Sequence, residues 1–267
     1  MKKLLIKLLS ILAYKRPFSF LYNTHRQLII NELLGRQAFS GDNLPIRYGA
    51  GIDERVIEYP WLFWRLPNSE GRLLDAGSTL NFDFILKNNK LKNKELYIYT
   101  LAPEKNCYWK RGISYIYGDL RATCFSDEYF DYIVCVSVLE HVGMDTSIYG
   151  KYDEKRLNDE SYIGAINELK RIIKRGGRLF FTMPYGLKSD YGWLRVFDGE
   201  MVDKIKMEFM PSELQEFYYM YENGYWRVCD KNEASLCLYN DIHEYKTSYD
   251  KNGPVAAGAM VCLELVK

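Results

Sequence analysis

The chain has 267 residues, 48% of them hydrophobic and 27% charged, which excludes a disordered or low-complexity polymer. That length holds one α/β domain with decorations, or a domain with a small appendage. A formal net charge of +1 excludes a nucleic-acid binder working through a broad basic face.

The chain opens on MKKLLIKLLSILAYKRPFSF, which carries Lys2, Lys3, Lys7, Lys15 and Arg16, and no acid occurs before Glu32. Its apolar run from Leu8 to Tyr14 is too short to span a bilayer. Lys7 interrupts the apolar region and no small-residue cleavage site is evident, which argues against a secretory signal. Leu4, Leu5, Leu8, Leu9, Ile11 and Leu12 share one face of a helix, with Lys3 and Lys7 towards the other side. Such a helix either lies in a membrane interface over anionic headgroups, through residues 1–16, or docks on protein. Residues 1–40 are therefore set apart as an amphipathic, helical extension, and 41–267 as the α/β domain.

A helix is expected from Phe18 to Leu34, with Pro17 at its mouth and Gly35 at its end. In ERVIEYPWLFWRL, Pro60 suits the first turn of a short helix, where a missing N–H costs nothing. RLLDAG reads as the first strand, Phe82 to Lys90 as a helix, ELYIYTL as the second strand and GISYIYGD as the third. FDYIVCVSVL is the fourth, its unbroken apolarity suiting a strand covered on both faces. Ser161 to Arg175 has Ile163, Ile166, Leu169, Ile172 and Ile173 at helical spacing, cations in its last turns and Gly176-Gly177 as a stop. RLFFTMP is the fifth strand and Met201 to Met210 a further helix. EFYYMYENGYWRV and GAMVCLELV form a closing strand pair. The passage from Asp230 to Pro254 is a polar excursion. Strands alternating with helices predict a mostly parallel sheet with helices on both faces.

The six cysteines include no C-x-x-C pair, so a zinc ribbon is excluded. Cys135 and Cys262 sit in apolar runs and read as buried thiols, pointing to a reducing, cytoplasmic compartment. There is no G-x-S-x-G elbow or Walker loop, which leaves hydrolases and P-loop enzymes without support.

FSDEYFDYIVCVSVLEHVG followed by ELKRIIKRGGRLFFTMPYG resembles the second half of a class I S-adenosylmethionine-dependent methyltransferase, and GRLLDAGSTLNFDFIL resembles that family's first strand and glycine loop. The likeness spans roughly residues 55–190. It implies a Rossmann-like class I methyltransferase fold with a seven-stranded sheet, and S-adenosylmethionine as cofactor. It also places a cofactor site over Asp75, Gly77, Ser78, Thr79, Asn81, Thr100, Asp119, Leu120 and Ser137.

Two departures stand out. Only Gly77 remains of the family's two or three loop glycines, and Thr79 stands where a second is usual; a β-branched residue resists positive φ. Ser78, Thr79 and Asn81 can then offer side-chain hydrogen bonds in place of bare backbone. The acid that commonly ends the second strand is replaced by Thr100, with Glu104 four residues on. Asp119 falls where the family places its acidic adenine contact; an Asx-turn cap is the alternative.

His141, just beyond the fourth strand, suits a general base, and Glu140 can orient it. A turn cap or a packing role is the other reading for His141. Metal is not expected: related metal sites use an acid three residues before the Glu-His pair, and that position is Ser137. Arg55 and Tyr59 are assigned to the near wall of an acceptor pocket, with helix-surface packing as the alternative. Tyr185, Trp193 and Arg195 are assigned to its far rim, where Arg195 either holds a carboxylate or phosphate or pairs with Asp198.

The resemblance is to the surface-glycan-associated branch of methyltransferase-like proteins. It implies an O-methyltransferase acting on a sugar, a glycan terminus or a sugar-linked phosphate in polysaccharide biosynthesis, with a small-molecule or lipid-like acceptor left open. The basic amphipathic start is what would bring it to the inner face of the membrane. A methyltransferase-like binding or scaffold protein without catalysis is the alternative class. No nucleic-acid partner is expected, and nothing in the sequence specifies an oligomer.

Overall fold

A computed structural model describes residues 19–36, 39–147, 160–241 and 255–267. The amphipathic segment 1–16 and residues 242–254 of the polar excursion lie outside these. The chain divides into two compact units. The first holds residues up to Leu66, then Tyr185–Leu187 and Phe217–Val261; the second holds Pro67–Pro184, Lys188–Glu216 and Cys262–Lys267.

In the first unit, helix α1 is Phe20–Arg36 and α2 is Arg55–Arg65. Pro60 lies inside α2 rather than at its first turn. A proline there leaves the carbonyl four residues back, that of Val56, without its helical donor. The Tyr48 hydroxyl donates to that oxygen at 2.9 Å, with Tyr48 itself buried, so a tertiary contact replaces the lost rung. The Asp53 N–H donates to the Tyr22 hydroxyl at 2.9 Å, Arg26 pairs with Asp53 at 2.6 Å, and the Trp226 indole N–H donates to Ile52 at 2.9 Å.

In the second unit, β1 (Gly71–Ala76), β2 (Lys94–Thr100), β3 (Ser114–Tyr117), β4 (Phe130–Val136) and β5 (Ile173–Pro184) pair in parallel. Helix α3 is Ser161–Ile172 and α4 is Gly199–Phe209, with a two-stranded sheet of β6 (Ser189–Asp190) and β7 (Arg195–Val196) between α3 and α4 in sequence. The expected helix over Phe82–Lys90 is absent. Those residues form turns and then a short 3-10 helix, Asn89–Leu91, whose start is capped by the Asn88 side chain.

Helix α3 also stops three residues before its expected end. The carbonyls of Arg171 and Ile172 accept the N–H groups of Glu128 and Tyr129, and Ile173 turns extended to pair with Phe130. Sheet pairing therefore ends the helix before Gly176-Gly177 can.

Strands β8 (Glu213–Glu222), β9 (Tyr225–Cys229) and β10 (Ala259–Val266) complete the main sheet; β8 and β10 each contribute to both units, and α5 is Lys231–Ser235. The strand order is β3-β2-β1-β4-β5-β10-β8-β9. The sheet thus has eight strands rather than seven. EFYYMYENGYWRV is itself a hairpin: Asn223 and Gly224 both take positive φ, 54° and 87°, and so form the tight turn that antiparallel β8 and β9 need. The strand order reverses between β1 and β4, which makes the carboxyl ends of these strands the crevice for a ligand. Cys135 and Cys262 are buried, and none of the six cysteines forms a disulfide. Among the described residues, no helix is long and apolar enough to cross a membrane.

Replacing Tyr48 by Phe leaves the Val56 carbonyl buried without a donor, an expected loss of about 1–3 kcal/mol of stability. In a Pro60→Ala background the restored N–H takes that carbonyl, so the same replacement should be nearly neutral. Denaturant unfolding of the four proteins in this double-mutant cycle measures the difference.

Candidate active site

The site lies in the second unit, at the carboxyl ends of β1, β2, β3 and β4. Asp75, near the end of β1, is fully buried. Its Oδ1 accepts from the Thr79 N–H and the Thr79 hydroxyl, both at 3.1 Å, and its Oδ2 accepts from the Leu80 N–H at 2.8 Å. Both oxygens are thus engaged in shaping the loop that follows. Burial pushes the Asp75 carboxyl up to about 7; the three donors oppose the rise and Glu104 adds to it.

Positive φ falls on Gly77, at 117°, and Ser78, at 63°; Thr79 does not adopt it. Gly77 has a steric reason as well. A Cβ there would stand 2.1 Å from Cγ2 of Val138. Val138 is brought over the loop by Ser137, which ends β4 at φ 46° and donates its N–H to the Thr182 carbonyl at 2.9 Å. The Ser78 hydroxyl oxygen is buried without a hydrogen-bond partner among the described residues.

A cleft of about 100 Å³ opens beside this loop, and its walls include Gly77, Thr100, Asp119, Leu120, Val138 and His141. Of the residues assigned to the cofactor from sequence, Gly77, Thr100, Asp119 and Leu120 meet here. Asp75, Ser78, Thr79, Asn81 and Ser137 do not line the cleft. Asn81 is turned aside: its side chain donates to Glu104 at 3.3 Å and to the Asn106 carbonyl at 2.9 Å, and accepts from the Tyr115 hydroxyl at 2.8 Å. That leaves Thr100, not Glu104, on the cleft wall.

Asp119 is held by its neighbour. The Arg121 N–H donates to Oδ1 at 2.8 Å, Nε lies 2.9 Å from both oxygens, and Nη2 bonds Oδ2 as well. Burial pushes the Asp119 carboxyl up, but these bonds outweigh it and hold the group below its usual range.

His141 lines the cleft from the short turn after β4. Its ring stacks on Trp193 with centroids 5.3 Å apart, and its Nδ1 lies 3.0 Å from the Trp193 carbonyl. A carbonyl can only accept, so Nδ1 carries the proton, and Nε2 is the basic nitrogen of the neutral ring. Glu140 is buried and lines no part of the cleft; with Asp75 it raises the pKa of the buried Cys135 thiol, burial being the largest cause. Among the described residues, no group of three or more His, Cys, Asp or Glu is placed to hold a metal ion.

Arg195 is buried, with its guanidinium 5.1 Å over the Tyr162 ring. Asp198 is occupied elsewhere, capping α4 by accepting the Met201 N–H at 2.9 Å. Arg55, Tyr59 and Tyr185 belong to the first unit. There Arg55 pairs with Glu58 at 2.7 Å and lies 5.9 Å over the Tyr59 ring, while Tyr185 packs against Tyr218 at 5.0 Å. Arg121, placed beside Asp119 on this rim from sequence, lines the cleft, whereas sequence reasoning missed Tyr99, Leu101, Val138, Val142, Gly143 and Thr146. Thr146 is buried, and its hydroxyl has no hydrogen-bond partner among the described residues. The run EHVGMDT, continuing past a strand end into the crevice, was the available sign of it.

Residues 93–181, from β2 through β5, match the family described as a methyltransferase domain. Over about a third of the chain, the sequence is similar to a methyltransferase domain. The match begins after β1, so it leaves out the loop in which Ser78 and Thr79 stand in for glycines. A SAM-dependent methyltransferase from Archaeoglobus fulgidus superposes with a TM-score of 0.50 at 13% identity, over 80% of this chain and 95% of that one. A SAM-dependent methyltransferase from Thermotoga maritima, described as a possible histamine N-methyltransferase, gives 0.49 at 15%, over 93% and 96%. The 1,6-didemethyltoxoflavin-N1-methyltransferase of Burkholderia thailandensis, solved with S-adenosylhomocysteine, gives 0.45 at 10%, over 79% and 75%. No curated protein matches the chain. The fold is the Rossmann-like methyltransferase fold, with a mixed sheet.

S-adenosylmethionine is the cofactor of such a domain, and the residues present fit it. The buried Thr146 hydroxyl on the cleft wall has no partner among the described residues, and Leu120, Val138 and Val142 supply the apolar walls on which a nucleoside packs.

Gly77→Ala should lose about 1–3 kcal/mol from backbone strain alone, and the clash with Val138 adds to this. Val138→Ala in the same chain should recover the clash component, as read by thermal unfolding. For Asp75, a folded pKa near 7 against an unfolded value near 4 means that the folded state binds the extra proton between them. Stability should therefore fall as pH rises from about 4 to 7, by at most about 1.4 kcal/mol per unit, and Asp75→Asn should remove that slope.

Proposed function

We propose that this chain is an S-adenosylmethionine-dependent O-methyltransferase that acts on a sugar, a glycan terminus or a sugar-linked phosphate in surface polysaccharide biosynthesis, at the inner face of the membrane. The observation that carries the O-methyl reading is His141. Its proton is pinned on Nδ1 by the Trp193 carbonyl, so Nε2 is set to take a proton at the edge of the cofactor cleft. The acceptor class rests on the chain's resemblance to surface-glycan-associated methyltransferase-like proteins.

The cofactor supplies an electrophilic methyl group on a sulfonium. Gly77, Thr100, Leu120 and Thr146 would hold it. A hydroxyl acceptor must lose its proton as its oxygen becomes bonded, and Nε2 of His141 receives it. Stacking on Trp193 limits the ring's rotation, so the base is oriented before the acceptor arrives.

Calorimetry with S-adenosylhomocysteine tests the cofactor reading. Binding to the wild type is expected, and no heat at millimolar ligand would overturn it in favour of a scaffold. Thr146→Val should weaken binding about 2–10-fold, the value of one neutral hydrogen bond. His141→Ala should leave that affinity in place while lowering S-adenosylhomocysteine production with pooled nucleotide-sugars and sugar phosphates by about 10²–10⁴-fold.

A further inference from the structure

A second cleft lies in the same unit, bordered by the β6–β7 pair, the start of α3 and the first turns of α4. At about 350 Å³ it is larger than the cofactor cleft and falls within the range of small-molecule sites. Arg195 lines it and is 5% exposed, its guanidinium lying over Tyr162. Stacking of this kind fixes the plane in which a guanidinium presents its N–H donors.

At the rim, Lys204 is joined to Glu160 at 2.6 Å, so that pair is internally neutral. Lys188 and Glu200 also line the cleft, and neither side chain has a hydrogen bond or ion pair to a described residue. Asp190, across from Arg195 in the β6–β7 pair, also lines the cleft, its Oδ1 accepting the Gly192 N–H at 2.8 Å. Besides that carboxylate the cleft presents a buried planar cation, and an ammonium and a carboxylate without partners among the described residues.

Each group selects a different part of a ligand. Arg195 and Lys188 suit a phosphate, whose oxygens accept charge-assisted hydrogen bonds. An ionised carboxylate only accepts, so Glu200 suits hydroxyl donors and repels a second anion. A polyhydroxy ring bearing one phosphate satisfies all three. A free phosphate leaves Glu200 unused, and a neutral sugar leaves the cations unused.

The two clefts are close neighbours. Trp193 stacks on His141, the proposed base, and Arg195 follows two residues later, about 7 Å along an extended chain. Met144, three residues after His141, touches the Arg195 side chain.

We infer that this second cleft is the acceptor subsite of the enzyme and that it takes a phosphorylated sugar, with the phosphate on Arg195 and Lys188 and ring hydroxyls on Glu200. The assignment rests on the methyltransferase reading above.

The test uses the full chain and calorimetry with glucose 1-phosphate, glucose and inorganic phosphate, each alone and with S-adenosylhomocysteine. Glucose 1-phosphate should bind more tightly than either fragment. Lys188→Ala should weaken it about 10-fold or more, as loss of a charge-assisted contact does, and Lys188→Arg should restore it. Glu200→Gln should weaken glucose 1-phosphate but not inorganic phosphate. Both residues are exposed, and the variants should keep the S-adenosylhomocysteine affinity of the wild type, which verifies their fold.

Inorganic phosphate binding as tightly as the sugar phosphate, or Lys188→Ala binding it unchanged, overturns the assignment. If S-adenosylhomocysteine binds and glucose 1-phosphate does not, the subsite falls and the methyltransferase stands. If S-adenosylhomocysteine does not bind, the methyltransferase reading itself falls.

Discussion

The site depends on one buried carboxylate. Asp75 accepts three hydrogen bonds from Thr79 and Leu80 and so draws the loop after β1 into a fixed turn. In a glycine-rich loop the backbone itself can adopt several turns, and the ligand selects among them. Here the turn is built in advance. Only Gly77 and Ser78 take positive φ, and Thr79 is free to be β-branched because its hydroxyl has become part of the clamp. The turn after β1 is thus held by hydrogen bonds to the Asp75 side chain.

The same economy appears on the other wall. Val138 rests on Gly77, where a Cβ would stand 2.1 Å from it, so an aliphatic contact extends the β1–β4 pairing past the strand ends. Past Val138, His141 is oriented by Trp193, which supplies both a stacking ring and a carbonyl. Trp193 stands just before β7, and Arg195 lies on that strand. One short segment therefore sets the protonation of the base on one side and presents a cation to the second cleft on the other.

Charge placement follows from burial. Asp119 is held ionised by the Arg121 fork, whereas Asp75 has hydrogen-bond donors but no cation paired to it, and its carboxyl rises to about 7. Two acids of one rim are thereby separated in behaviour: one carries a full negative charge near neutrality and the other is poised between forms. That difference is set first by the deeper burial of Asp75 and then by the Arg121 side chain beside Asp119.

Much of this was readable in the chain. The apolar runs at 73–76, 96–99 and 130–136 announced parallel strands, since such strands are covered on both faces, and the polar residues beyond them marked the crevice. Sequence periodicity also found α3 and α4. What it could not decide were outcomes that depend on distant partners. Helix α3 stops at Ile172 because Glu128 and Tyr129 take its last carbonyls; α2 continues through Pro60 because Tyr48 supplies the missing donor. The segment 82–90 has helical spacing but no such support, and it remains a series of turns. Composition and local pattern determine which residues seek burial and which strands form, because both follow from nearest neighbours along the chain. Where an element ends, which carboxylate is paired and which ring nitrogen holds the proton belong to tertiary structure, because each is decided by a hydrogen bond from a residue far away in sequence.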